Sequence, residues 1–222
     1  MSNIKVIEVK QSIFAQNNEA ADRMRVYLKE KGVYMINLMA SPGAGKTTTL
    51  LQLIRQLKDE IRIGVMEADI DATVDAEKIM AAGARSIQLH TGGMCHMDAE
   101  MTKQGLDEFG IDDLDLVVLE NVGNLVCPAE FDTGAIDNVM ILSVPEGDDK
   151  PLKYPLMFQV SNLVLINKID TKTVFDFDNE AVVERIHQRN PDAEVIFISA
   201  KTGEGFGQFS DWVRRKVADF KK

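Results

Sequence analysis

Short apolar runs rich in aliphatic and β-branched residues recur along the chain, at 34–39, 61–66, 86–89, 115–119, 139–144, 163–166 and 194–198. Runs of this length, bounded by glycine and polar residues, predict seven strands. Between most of them the apolar positions move to helical spacing. Leu50, Leu53, Ile54 and Leu57 fall on one face after the first run, and Phe206, Phe209, Val213 and Val217 do the same near the end. Strands apolar on both faces and alternating with amphipathic helices predict an α/β fold. Its mostly parallel sheet of about seven strands is flanked by helices in a three-layer arrangement. A leading helix over 11–31, closed by Gly32, packs outside that sheet.

Length and composition fit this picture. The 222 residues are 45% hydrophobic, enough for one core, and no repeat or low-complexity linker divides them, so a single domain over 1–222 is expected. The 25 basic residues are outnumbered by 35 acidic ones, and the net charge of −10 disfavours nucleic acid and anionic membranes as partners. No apolar run reaches the ~20 residues that span a bilayer, and the start of the chain lacks the apolar core of a secretory signal, which predicts a cytoplasmic protein.

The sharpest motif follows the first strand. SPGAGKT lies between an apolar strand and an amphipathic helix, the context of a phosphate-cradling loop and of a P-loop NTPase. Gly43, Ala44 and Gly45 let backbone N–H groups face phosphate oxygens, Lys46 reaches the β- and γ-phosphates, and Thr47, followed by Thr48, offers a hydroxyl to Mg²⁺. Ala40 stands where the usual pattern has its first glycine; at a strand end it needs no positive φ. Two later strand exits supply a base pocket: Asn167, Lys168 and Asp170 in NKID, and Ser199, Ala200 and Lys201 in SAK. Asp170 can accept from both N1–H and the exocyclic amine of guanine, which selects GTP over ATP. The Ala200 N–H is expected on guanine O6 and the Lys168 stem over one face of the base.

In this order the motifs resemble those of GTP-binding proteins, and three stretches narrow the likeness. Glu120 and Gly123 form an E-x-x-G at the end of the fourth strand, ENVGNLVCPAEFD continues from it, and MEADIDATVDAEKI occupies the first switch position. These stretches resemble the HypB family of nickel-insertion GTPases over nearly the whole chain from about residue 10. UreG is similar in fold but lacks ENVGNLVCP.

The chain has two cysteines. Cys95 is directly followed by His96, and Cys127 precedes Pro128. By residue type alone, two separate core cysteines are the commoner arrangement. The resemblance implies instead that Cys95, His96 and Cys127 are ligands of Ni²⁺ or Zn²⁺, and thiolate and imidazole suit both ions. Three ligands suggest an open position or sharing across a dimer. His90 is a further candidate, although a lone histidine at a strand end is more often structural, and His187 has no assigned role.

Asp69, expected just past the second strand, leads Asp75 and Asp71 as the carboxylate for Mg²⁺, with Thr47 and Glu120 completing the set. Lys46, Asp69, Glu120 and Gly123 are the expected catalytic group, Gly123 sensing the γ-phosphate. There is no evident arginine finger and no glutamine beside Gly123, so slow hydrolysis is expected. The resemblance implies a nucleotide-dependent homodimer. Residues 146–155, which follow a strand at the level of the nucleotide and combine acids with Lys150 and Lys153, are placed to reach the neighbouring subunit or its base, the alternative being a solvated loop. The resemblance also implies a small nickel chaperone and a hydrogenase large-subunit precursor as partners. Residues 1–16 hold neither a cysteine motif nor a histidine tract, so the amino-terminal nickel site of some family members is not expected. Delivery of nickel to another client such as urease, and a metal-binding dimer in which GTP is only structural, are the alternative readings. Cys95 and His96 lie on a loop separate from Cys127, one that need not move when nucleotide changes.

Overall fold

The computed structural model describes the backbone of residues 9–69 and 74–222, and the side chains of 13–68 and 76–222. Strands and helices alternate in the order α1 (Val9–Lys31), β1 (Tyr34–Ala40), α2 (Lys46–Leu57), β2 (Ile63–Asp69), α3 (Val74–Ala82), β3 (Arg85–His90), α4 (Ala99–Phe109) and β4 (Leu116–Glu120). The second half continues with α5 (Cys127–Glu130), β5 (Asp137–Ser143), α6 (Lys150–Lys153), α7 (Pro155–Gln159), β6 (Leu163–Asn167), α8 (Asn179–His187), β7 (Glu194–Phe197) and α9 (Phe206–Phe220). All seven predicted strands form one sheet in the order β3-β2-β4-β1-β5-β6-β7. Every pairing is parallel, so the sheet is parallel throughout rather than mostly so. No described helix is long and apolar enough to cross a membrane.

Alternation along the strands explains the three layers. Tyr34, Ile36 and Leu38 of β1 point with Leu116, Val118, Val139 and Ile141 into a core closed by α2 and α9. Their neighbours Met35, Val117 and Leu119 face α1 and α4, while Met39, Met140 and Leu142 face α7 and α8. Burying each such side chain stabilises the fold by about 2 kcal/mol. The leading helix is held against the sheet by Met24 and Leu28. It is also pinned by Arg25, which donates to Asp132 at 2.6 and 2.7 Å. Trp212 of α9 is buried and donates its indole N–H to Glu194 at the start of β7, at 2.8 Å.

Three details bear on these expectations. Asp69 is the last residue of β2 rather than a residue beyond it, because β2 keeps pairing with β3 as far as Asp69 with His90. Within 146–155 the chain forms one short helix, α6, with Pro151 in its first turn, and α7 begins at Pro155; Lys153 pairs with Asp149 at 2.5 Å, and Lys150 lies over the Tyr154 ring. Ala40 has the ordinary backbone expected for it, since among described non-glycine residues only Lys168 has positive φ.

The edge opposite the strand exits carries an ion network built on one buried carboxylate. Asp115, 7% exposed, accepts from the Arg62 side chain at 2.7 and 2.9 Å, from the Arg62 backbone N–H at 2.9 Å, and from Lys221. The Arg62 guanidinium, outweighing burial, and then Lys221 hold this carboxyl well below the ordinary range. A depressed folded-state pKa contributes stability that is present above the unfolded value near 4 and is lost as pH falls through the folded one. Asp115→Asn should therefore cost about 2 kcal/mol at pH 7. Urea unfolding of both proteins at pH 7 and at about pH 3 checks this: the gap should narrow in acid, and an equal gap at both values would contradict it.

Candidate functional site

All seven strands end at one edge, and the loops that leave it build two adjoining pockets. Parallel sheets of this kind bind ligands in the crevice at the carboxyl ends, where strand order reverses. Here that place is the exit of β1 between β4 and β5.

The loop after β1 closes onto α2 through Gly45, whose φ of 104° suits glycine. Pro42, Gly43, Gly45, Lys46, Thr47 and Thr48 line one wall of a cleft, and Glu67, Ala68, Glu120, Asn121, Val122 and Gly123 line the other. Thr47 Oγ1 lies 3.4 Å from Glu120 Oε1. A Cβ on Gly123 would lie 3.2 Å from the backbone nitrogen of Pro42, a tight contact, so glycine favours the close approach of the two walls. Glu67, 4% exposed, is a carboxylate that the sequence reading passed over. It stands opposite Glu120 in the β2–β4 register and accepts from Ser86 at 3.1 Å. An acid interrupting the apolar run IGVMEAD is the signal that marks it.

A second pocket adjoins the first and is lined by Gly45, Thr48, Asn167, Lys168, Asp170, Thr171, Ala200 and Lys201. The Asn167 carboxamide organises it. Its Nδ2 donates to the Ala44 carbonyl at 2.9 Å, and its Oδ1 accepts from the N–H groups of Lys168 at 2.7 Å and Ala200 at 3.1 Å. The Ala200 N–H expected on guanine O6 thus bonds Asn167, which braces the loop after β7 against the phosphate loop. Lys168 adopts a left-handed backbone, φ 61°, which costs an L-residue roughly 1 kcal/mol. Its Nζ donates to the Gly43 carbonyl at 2.6 Å, lying across the loop. Ser199, fully buried, donates to Asp170 Oδ1 at 2.6 Å and fixes the carboxylate toward the pocket.

Beyond Gly123 the chain passes Asn124 and enters α5 at Cys127. One ligand atom each from Cys95, His96 and Cys127 lies within 4.8 Å of the others. Cys95 is exposed, Cys127 half-buried and His96 buried. Cys95 Sγ is 3.8 Å from His96 Nδ1, and the imidazole stacks on Phe131 at 3.8 Å with 17° between the rings. Burial lowers the His96 pKa and favours the neutral, ligating imidazole. The hydrogen bond with Cys95, then burial, raises the Cys127 thiol. His96 Nε2 is buried with no hydrogen-bond partner. A soft donor set with a desolvated imidazole fits Ni²⁺ or Zn²⁺ and does not suit a hard cation. His90, exposed at the end of β3, is outside this group, and His187 lies 3.1 Å from the Ala193 carbonyl through Nε2. Of the acids weighed for Mg²⁺, Asp71 and the side chains of Asp69 and Asp75 lie outside the described residues.

Residues 34–197 match the family model described as "CobW/HypB/UreG, nucleotide-binding domain". The chain is 42% identical over 213 residues to the hydrogenase maturation factor HypB of Escherichia coli (strain K12), covering 96% of this chain and 73% of that protein. This chain belongs to the HypB family. The likeness to the probable hydrogenase maturation factor HypB of Methanocaldococcus jannaschii, 36% identical over 221 residues, covers the full length of both. A crystal structure of HypB from Helicobacter pylori in complex with nickel superposes with a TM-score of 0.85 at 36% identity, covering 93% of this chain and 97% of that one. The HypB hydrogenase maturation factors are P-loop GTPases, and the fold, the phosphate loop and the thiol–imidazole cluster agree with that membership.

The packing at Gly45 gives a direct test of the cleft. A Cβ there would sit 2.6 Å from Asn167 Nδ2 on an unfavourable backbone, whereas one at Gly207 meets nothing within 4 Å. Gly45→Ala should weaken nucleotide binding by about tenfold or more, the equivalent of about 1.4 kcal/mol of strain. Gly207→Ala should leave it unchanged. Titration with a fluorescent guanine nucleotide compares the two, and equal affinities would contradict the assigned cleft.

Proposed function

We propose that this chain is a Mg²⁺-dependent GTPase that takes up nickel at Cys95, His96 and Cys127 and releases it, under control of its nucleotide, to a hydrogenase large-subunit precursor. One observation carries the reading: residues 120–127 begin in the phosphate cleft and end in the thiol–imidazole cluster. A segment touching both ligands is what a switch needs, since a ligand shifts an equilibrium only through contacts that differ between states.

In this reading Asp170, oriented by Ser199, accepts from guanine N1–H and its amine, while the Lys168 stem covers the base. Lys201 borders the same pocket. Lys46 and the N–H groups of Gly43, Ala44 and Gly45 bind the β- and γ-phosphates, with Thr48 beside them. Thr47 and Glu120 would hold Mg²⁺, together with Asp69 or Asp75, and the ion would supply neutralisation of phosphate charge; hard oxygen donors of this kind suit it. Glu120 orients a water that attacks the γ-phosphorus, the bond to the β-phosphate oxygen breaks, and GDP and phosphate leave. Gly123, packed on Pro42, senses whether the γ-phosphate is present. Nickel is the cargo of the soft cluster, and Zn²⁺ is the competing ion for the same ligands. The working form is a cytoplasmic homodimer assembled on GTP, which receives nickel from a small nickel chaperone. Urease is the second client to consider, because a Helicobacter pylori relative 37% identical to this chain is a hydrogenase/urease maturation factor. A metal-binding dimer in which GTP is only structural predicts nickel release without turnover.

Two substitutions separate these roles. Asp170→Asn replaces an acceptor by a donor opposite N1–H, so GTP should bind about 100-fold more weakly and XTP more tightly, two charge-assisted bonds being worth about 3 kcal/mol. A variant that still prefers GTP over XTP would refute the base pocket. Cys127→Ala removes one of three ligands and should weaken nickel more than about tenfold in competition with a metallochromic indicator, with GTP affinity in metal-free protein preserved. Undiminished nickel binding would remove Cys127 from the site.

A further inference from the structure

The cleft and the cluster are joined by more than the chain through Cys127. Asn121 is fully buried between Glu120 and Val122. Its Oδ1 accepts from the Val122 N–H at 2.9 Å and from the N–H of Met97, the residue after His96, at 3.3 Å. Its Nδ2 donates to Asn37 Oδ1 on the central strand at 3.0 Å, and Asn37 donates in turn to Asn138 at 3.0 Å. A single carboxamide thus joins two backbone N–H groups, one at the start of the segment that packs on Pro42 and one in the loop carrying the cysteine–histidine pair, to a side chain of the central strand.

We propose that Asn121 is the positioning residue through which nucleotide state sets the geometry of the His96 ligand. The proposal rests on the reading above, in which the cleft holds GTP and the cluster holds nickel. The physical basis is the absence of water at a buried carboxamide: when Val122 shifts, the oxygen either carries Met97 with it or leaves an N–H unpaired, and the second alternative is costly. The segment that would shift packs at Gly123 closely on Pro42 of the phosphate loop, where a Cβ would lie 3.2 Å from the Pro42 backbone nitrogen. On its other side the His96 ring is clamped by Phe131. Motion at 96–97 therefore turns the imidazole relative to Cys127 instead of dissipating in the loop. This replaces the expectation that the Cys95–His96 loop need not move: both halves of the cluster answer to the segment that begins at Glu120.

The test is a ratio. Nickel is titrated into wild type and Asn121→Ala, each loaded with Mg²⁺ and either GDP or a non-hydrolysable GTP analogue. Wild-type nickel affinities should differ between the two states by about 5- to 150-fold, and in the variant, which keeps the link through Cys127, that ratio should shrink by about threefold or more. If Asn121 only stabilises the fold, both affinities fall together and the ratio survives, which overturns the proposal but leaves the nucleotide-gated reading standing. Equal affinities in the wild type remove that reading and the coupling with it. A variant too unstable to assay is replaced by amide hydrogen exchange in the metal-free wild type. The Met97 amide should exchange more slowly with the GTP analogue than with GDP while α8 is unaffected, and an unchanged Met97 rate overturns the proposal.

Discussion

Because all seven strands run in one direction, every loop that leaves the sheet at their carboxyl ends competes for the same small area. That constraint brings together residues as distant in sequence as Gly43 and Lys168, or Cys95 and Cys127. It also removes the easy way of stabilising such loops, since no antiparallel hairpin pairs them. Their backbone groups must be satisfied by side chains or water.

Asparagine meets this need at two strand exits. Asn167 ties the phosphate loop to the two base-side loops, and Asn121 ties the cysteine–histidine loop to the exit of β4. A carboxamide carries donor and acceptor on one rigid plane, so it can bridge two loops without introducing a charge. Aspartate in the same positions would need a cation, and the surrounding carboxylates already make the edge acidic. The site is consequently a set of loops cross-braced by neutral groups, with charges reserved for the walls that face the cleft.

Much of this was legible in the sequence, and the reasons differ by element. The seven strands were readable because parallel strands are buried on both faces and appear as unbroken apolar runs. The two pockets at the strand exits were readable because their lining is local in sequence: Lys46 and Thr47 follow β1, and Asp170 follows β6, within a few residues. The cysteine–histidine cluster needed the family resemblance, since residue type alone favoured buried cysteines. The bridges of Asn121 escaped because their partners are 24 and 84 residues away, and no spacing rule links them. Helices α5, α6 and α7, four or five residues each, fall below the length at which periodicity is visible. Prolines in their first turns preset φ, and the neighbouring core does the rest.

The chain has a single tryptophan, and its position has a practical consequence. Trp212 is packed on α9 and bonded to Glu194 at the amino end of β7, so it sits at the sheet edge opposite the loops that carry the chemistry. Its intrinsic fluorescence reports the docking of the last helix onto the sheet, at the edge away from those loops. Unfolding can therefore be followed optically by a group that lines neither candidate pocket, and a shift of that transition on adding nucleotide or metal reports binding by mass action.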